Sequence, residues 1–281
     1  MTRGYNNKGF TLIELSIVLV IIGLLVGGVL VGQDLIKAAE TRAQISQIEK
    51  YNSAVNTFRI KFNAIPGDMA ISVANQFGFT VGAACSGIMG ERDGNGLIHG
   101  ANLAPLVEGV GETGLFWSDI SSGPAGNLIE GQFPNSGAAP LTCAALGATA
   151  MSTTIGTTYF GDYFPVGKIG HGTFVYVYET SGYNWYGLSA LTTINSGGGT
   201  YSTTTISVMQ SYNMDRKTDD GLPTTGAVRA AYLTNGVVTS PTNAATDSTT
   251  TCYNTSSNVY SIGSAANYGN GGNCALSFRF Q

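Results

Sequence analysis

The first sixty residues carry two successive hydrophobic patterns. From Phe10 to Gly32 the chain is almost uniformly apolar, with one acidic residue, Glu14. A run of about 23 apolar residues is long enough to cross the hydrocarbon core of a membrane as a helix. From residue 33 to 63, apolar side chains recur every three or four positions, which is typical of an amphipathic helix. The pattern therefore predicts one helix over 10–62 whose first half lies in a membrane.

The amphipathic half of this helix has one apolar stripe, which we expect to pack against the rest of the chain. Its members are Ile45, Ile48, Tyr51, Val55, Phe58 and Phe62. The polar residues between them are expected on the other faces: Gln44, Gln47, Glu49, Lys50 and Asn56. No proline follows Phe10 until Pro66, where the sequence Pro66-Gly67-Asp68 ends the helical pattern.

The remaining residues, 64–281, predict an α+β head that is rich in strands. Aromatic and β-branched residues at 173–179 and 183–193 flank Ser181-Gly182, which is typical of a β-hairpin. Helices are predicted at 103–120 and 207–217, further strands at 227–233 and 275–280, and long surface loops over 234–273. The length of this segment is sufficient for a sizeable hydrophobic core.

Charge divides the chain into two parts. Residues 1–63 hold seven Lys and Arg against four Asp and Glu, whereas residues 64–281 hold six against thirteen. The head thus carries a net charge of −7 and the helical part +3. Because nucleic acids are bound through neutralisation of their phosphates, an acidic head predicts no nucleic-acid partner.

Glu14 is the most informative residue of the apolar run. A carboxylate within a membrane costs on the order of 2.5–3.5 kcal/mol on insertion scales, so it is expected to have a partner. The segment Gly9-Phe10-Thr11-Leu12-Ile13-Glu14, preceded by Lys8, resembles the cleavage and methylation motif of type IV pilins and of the pseudopilins of type II secretion. The segment 62–68 also resembles the junction that follows the helical stalk in several pilin-like families.

The resemblance implies four parts: a leader at 1–9, a transmembrane helix half at 10–32, an amphipathic half at 33–63 and an exported head at 64–281. A prepilin peptidase would cut after Gly9, and Phe10 would become an N-methylated amino terminus. Glu14 matches the acidic residue that is thought to pair with the terminal amine of a neighbouring subunit during assembly. The residues alone leave open whether that amine comes from a neighbour or from the same chain.

Two plainer interpretations compete for the N-terminal segment: a secretory signal cut near Gly32, and a simple membrane anchor. Residues 29–32 are a poor match to a signal cleavage site, and neither interpretation explains an acid four residues after Phe10. Arg3 and Lys8 place the N-terminus in the cytoplasm. We therefore expect a precursor in the inner membrane with its head in the periplasm, and an extracellular or periplasmic filament after assembly.

The function that this resemblance implies is that of a structural subunit of a type IV pilus or pseudopilus. The alternative is a minor pilin at the filament tip whose large head binds a surface or substrate. The expected partners are identical or related pilin subunits, the prepilin peptidase and an inner-membrane assembly platform. Since the chain has two histidines, His99 and His171, and none of the common hydrolase or phosphate-binding motifs, no enzymatic activity is predicted.

Four cysteines lie in the head: Cys85, Cys143, Cys252 and Cys274. An even number in an oxidising compartment predicts two disulfides, and three connectivities are open. Pairing of nearest neighbours favours Cys85 with Cys143 and Cys252 with Cys274. The second bridge would resemble the C-terminal disulfide loop of many type IV pilins.

One acidic cluster is a candidate metal site. Asp215, Asp219 and Asp220 stand close together in the sequence, and calcium is the cation that would suit them, although it takes six to eight oxygens. The alternative is a surface loop whose charge is balanced by the adjacent Arg216 and Lys217. A second acidic segment, 91–96, begins like a calcium loop but lacks the later acid. No other cofactor is predicted.

Overall fold

The computed structural model describes residues 9, 11–79, 92–100, 111–133, 155–194, 200–234, 237–241, 251–263 and 269–280. Its main feature is an unbroken helix, α1 (Leu12–Phe62), of 51 residues and therefore about 77 Å in length. Asn63 ends α1 in the left-handed backbone region, at φ 51°. Arg59 and Lys61 lie in the last turn, where positive charge complements the helix dipole. The predicted long helix is confirmed.

Shorter elements build the head. The helices are α2 (Ile71–Phe77), α3 (Glu112–Ser121) and α4 (Val208–Thr218), with a 3₁₀ helix at Thr157–Asp162. The strands are β1 (Ile155–Gly156), β2 (Thr173–Thr180), β3 (Tyr183–Ile194), β4 (Thr200–Thr203), β5 (Val228–Arg229), β6 (Tyr232–Thr234), β7 (Val237–Thr239), β8 (Tyr253–Asn254), β9 (Val259–Tyr260) and β10 (Leu276–Arg279). An α+β head on a long helix is the predicted fold class.

β3 is the centre of an antiparallel sheet. β2 pairs with it from Thr173 opposite Ala190 to Thr180 opposite Tyr183, so the predicted hairpin is confirmed. On the other side of β3 lies β10, with Arg279 opposite Trp185, and β5 pairs with the outer edge of β10. β1 and β4 pair with the end of β3, while β6–β7 and β8–β9 form separate two-stranded sheets.

The core lies between α1 and the central sheet. Tyr51 of α1 packs edge-on against Trp117 of α3, with ring centroids 4.8 Å apart, and lies 6.0 Å from Tyr186 of β3. Five of the six residues in the predicted stripe are buried, and the sixth, Ile45, is half-buried. The periodicity of the sequence thus identified the face of α1 that meets the head.

Two predictions about the second half of the chain are wrong. The expected strand 227–233 is two short strands, β5 and β6, that belong to different sheets. The expected loops of 234–273 contain β7, β8 and β9. Strands of two or three residues have too few positions to show an alternating pattern. Their pairing is decided by segments that are distant in the sequence.

Of the predicted helix 103–120, only the part from residue 111 onwards lies within the described residues, and α3 begins at Glu112.

Candidate functional site

The start of α1 is fixed by two residues of the motif segment. Thr11 is the N-cap: its hydroxyl oxygen accepts a hydrogen bond from the backbone N–H of Glu14 at 3.3 Å. In return Glu14 Oε2 accepts from the backbone N–H and from the hydroxyl of Thr11, both at 2.8 Å. This reciprocal capping box satisfies donors that a helix end otherwise leaves unpaired. Gly9 is exposed, and Phe10 lies outside the described residues.

The apolar half of α1 makes no packed contact with the part of the head that the structure describes. All its large apolar side chains from Leu12 to Ile36 are exposed, and an 18-residue window within α1 has a mean hydropathy of 2.8 with no buried residue. By length and composition this half is able to span a membrane. Contact with the head is established at Lys37, whose ammonium group donates to Asn270 Oδ1 at 2.9 Å.

A pair of buried glutamines, Gln44 and Gln47, joins α1 to the head. Gln47 donates to the carbonyl oxygen of Val166 at 2.9 Å and accepts from the N–H of Lys168 at 3.2 Å. Gln44 donates to Gln47 Oε1 at 3.1 Å and accepts from the N–H of Ile169 at 3.1 Å. The expectation that both residues lie on faces away from the one that packs against the head is therefore wrong. Their amides are buried because they pair with the carbonyl of Val166 and the N–H groups of Lys168 and Ile169 in the turn before β2.

Three carboxylates from separate segments meet beside the end of α1. Asp68 follows the helix, Asp93 begins a turn, and Glu112 opens α3; each offers an oxygen within 4.8 Å of the others. Asp68 and Glu112 are buried, and Asp93 is exposed. The segment 91–96 lacks the later acid of a calcium loop, and the fold instead brings Asp68 and Glu112 next to Asp93. Carboxylate oxygens at this spacing are able to hold a calcium ion.

Burial dominates the protonation of these carboxylates. Desolvation raises the pKa of Glu112 to about 10 and that of Asp68 to about 7. Hydrogen bonds from backbone N–H groups oppose the rise: Asp68 accepts from Gly96 at 2.7 Å and Glu112 from His99 at 2.8 Å. A bound cation would favour the ionised forms, so cation binding at this cluster would release protons.

A buried ion pair lies beside this cluster. The Arg92 guanidinium binds both oxygens of Asp119, at 2.9 and 2.6 Å, and both side chains are almost fully buried. The same carboxylate accepts from the N–H of Gly67 at 2.8 Å. The pair therefore connects the turn after α1 and the segment around residue 92 to α3. Its role in this arrangement is structural.

The predicted candidate site at the end of α4 is brought together by the fold. Carboxylate oxygens of Asp215, Asp219 and Asp220 lie within 4.8 Å of one another. Asp215 is buried, which raises its pKa to about 6, and it accepts from the hydroxyl of Tyr260 at 2.8 Å and the N–H of Gly221 at 3.0 Å. Asp219 and Asp220 likewise accept bonds from neighbouring backbone groups. These bonds support a structured turn, and calcium at this position stays a prediction.

The predicted bridge between Cys252 and Cys274 is present, with Cα atoms 5.0 Å apart. Both cysteines are fully buried. The disulfide fastens the segment that contains β8 and β9 to the residue just before β10. Cys85 and Cys143 lie outside the described residues, so their predicted pairing stays a prediction.

Several residues that cap α1, join it to the head or form the acidic cluster were not identified from the sequence. The Thr11-x-x-Glu14 spacing is a capping-box signature and was visible in the sequence. The burial of Gln44 and Gln47 had no such signal, because glutamine is ordinarily exposed. The contribution of Asp68 and Glu112 to one cluster depends on segments that are more than forty residues apart.

The fold and its N-terminal segment define a class: a head carried on a long helix whose first half is apolar and uncovered. Residues 4–30 match the model of the prokaryotic N-terminal methylation motif, which is characteristic of type IV pilins and pseudopilins. This match covers the N-terminal segment alone and supports a precursor of the type IV pilin-like or pseudopilin kind. No curated protein and no solved structure gives a significant match to the chain.

Proposed function

We propose that the chain is a structural subunit of a type IV pilus or pseudopilus filament that assembles through α1. The observation that carries this proposal is the uncovered apolar half of α1, most of which lies within the methylation motif at residues 4–30. Such a surface requires lipid before assembly, and outside a membrane it requires copies of itself or of related subunits. The precursor then resides in the inner membrane, with its head in the periplasm.

Processing follows from the same segment. A prepilin peptidase cuts after Gly9, which is exposed, and the new terminus at Phe10 carries an amine that becomes methylated. An inner-membrane assembly platform then moves the processed subunit into the filament. No chemical step on a substrate is assigned to the head.

Glu14 has a specific role in this proposal. Both hydrogen bonds from Thr11 end on Oε2, and within the described residues no donor reaches Oε1. Thr11 therefore orients the carboxylate and leaves one oxygen for the terminal amine of a neighbouring subunit. Two opposite charges in an apolar filament core are tolerable together and costly apart, so this pair helps to set the register of the incoming subunit.

The experiment is to express the full chain with its peptidase, shear the surface filaments and identify their subunits by mass spectrometry. We expect the chain to be abundant along the filaments and to begin at methylated Phe10. A start near Gln33 would contradict the proposal, since it would indicate ordinary secretion. Confinement of the chain to filament tips would instead support the alternative of a minor, ligand-binding pilin.

Two substitutions test leader cleavage and filament assembly separately. A bulky residue in place of Gly9 should leave the leader attached and the subunit in the membrane. Glu14→Gln should permit insertion and cleavage, because a neutral amide is cheaper in lipid than a carboxylate, but should leave processed subunit in the inner membrane and few filaments. Normal filament yield from the Gln variant would show that Glu14 has no role in register. Asp34→Asn, a change of the same kind at an exposed position, is the control.

A further inference from the structure

Two arginines lie next to each other on one face of the central sheet. Arg229 of β5 pairs with Ser277 of β10, which makes Arg279 its diagonal neighbour. Diagonal neighbours on one sheet face have Cβ atoms roughly 7–8 Å apart or less. Each guanidinium stacks on a ring of β3, Arg229 on Trp185 at 5.1 Å and Arg279 on Tyr183 at 4.9 Å. These four residues are called the arginine–aromatic patch below.

The patch faces away from α1. Tyr186, the residue after Trp185, packs towards Tyr51 of α1. Since successive side chains of a strand point to opposite faces of the sheet, Trp185 and Tyr183 point to the other side. Trp185 itself is almost fully buried, whereas Arg229, Arg279 and Tyr183 are exposed. In a filament with α1 at its axis, these three exposed residues face the medium. That orientation rests on the proposed function.

Both arginines are exposed, and among the described residues neither has an anionic partner. Within the described part of the chain, no carboxylate comes within salt-bridge distance of Arg229 or Arg279, and neither side chain donates a hydrogen bond. This is unexpected in a head whose acidic residues outnumber its basic ones by thirteen to six. Stacking on aromatic rings stabilises each cation, but it does not remove the repulsion between the two. An anion between them would do so.

We propose that the arginine–aromatic patch binds the carboxylate groups of an acidic polysaccharide outside the cell. The planar guanidinium fork matches a carboxylate in a bidentate manner. Tyr183 is 46 % exposed and offers an apolar ring beside the two charges for a sugar to pack against. A duplex nucleic acid fits less well. It carries one charge per about 1.7 Å of its axis, so the head, with its net charge of −7, repels it more strongly than it repels a chain with one carboxylate per sugar.

The test measures binding of a short oligouronate to the full chain in detergent by isothermal titration calorimetry. The variant Arg229→Gln with Arg279→Gln should bind up to about 25-fold more weakly, since each exposed arginine–carboxylate pair contributes at most about 5-fold. Arg216→Gln with Lys217→Gln is the matched control. It removes the same charge, and Arg216 is also stacked on an aromatic ring, Tyr212, at 5.9 Å.

The expected result is oligouronate binding that weakens with salt, is weakened in the patch variant and is unchanged in the control. Three results would overturn the proposal: no binding by the natural chain, equal binding by the patch variant, or tighter binding of single-stranded DNA than of the oligouronate. Binding of the matched neutral oligosaccharide with the same affinity would also exclude recognition of carboxylates.

Filament yield is measured in parallel, because the patch variant should assemble normally. Failure of the natural chain to assemble would refute the proposed function, whereas failure of the natural chain to bind the oligouronate would refute only the proposed binding by the patch.

Discussion

Replacement of Gln47 by leucine tests the connection between the stalk helix and the head. Leucine keeps the size of the side chain but cannot bond the carbonyl of Val166, the N–H of Lys168 or the hydroxyl of Tyr51. It also cannot accept the hydrogen bond from the amide of Gln44, so four bonds are lost. Each lost bond to a buried group costs about 1 kcal/mol. The added apolar burial offsets part of this, so the free energy of unfolding should fall by about 2–3 kcal/mol. For a head of this size, the unfolding midpoint should drop by roughly 4–12 °C.

Near-ultraviolet circular dichroism of the full chain in detergent is a suitable assay, because Tyr51 and Trp117 pack against each other close to the substituted residue. Asn56→Leu is the matched control: it replaces another amide of α1, but one that is exposed. If Gln47→Leu unfolded within about 2 °C of this control, water would be able to replace the amide, and the claim that the glutamine pair fastens the head would be refuted.

Three further predictions concern the head. Peptide mapping without reduction should find Cys252 joined to Cys274, and replacing both by serine should destabilise the head by roughly 3 kcal/mol in the chain-entropy model; a free thiol at either position would contradict this. In a metal-free buffer, Glu112 binds its proton more tightly in the folded state than at its ordinary pKa of 4.5. The unfolding midpoint should therefore fall as pH rises from about 4.5 towards about 10, and Glu112→Gln should flatten that decline; parallel pH profiles would disprove it. Calcium should raise the midpoint, and Asp93→Asn should abolish the increase. An unchanged midpoint at saturating calcium would rule out a site at this cluster.

Whether a helix or strand could be predicted from the sequence depended on its length. Helix α1 and the β2–β3 hairpin were predictable, because their patterns repeat over many residues and end at local signals, such as Pro66 and Ser181-Gly182. β5 to β9 were merged or missed because strands of two or three residues show no periodicity. Their existence depends on pairing with segments far along the chain, and that information is absent from any local window.

The sequence by itself determined the features on which the proposed membrane insertion, cleavage and pilin-like assembly rest. That information is local: an apolar run of membrane length, a glycine before a phenylalanine, and one acid a single helical turn later. Only the tertiary structure decided which polar groups are buried and what they contact. It placed Gln47 against a backbone turn, assembled Asp68 and Glu112 with Asp93, and set Arg229 beside Arg279. The physical reason is that hydrogen bonds and charge interactions act over a few ångströms in space, whereas the residues that form them are separated by tens of positions in the chain.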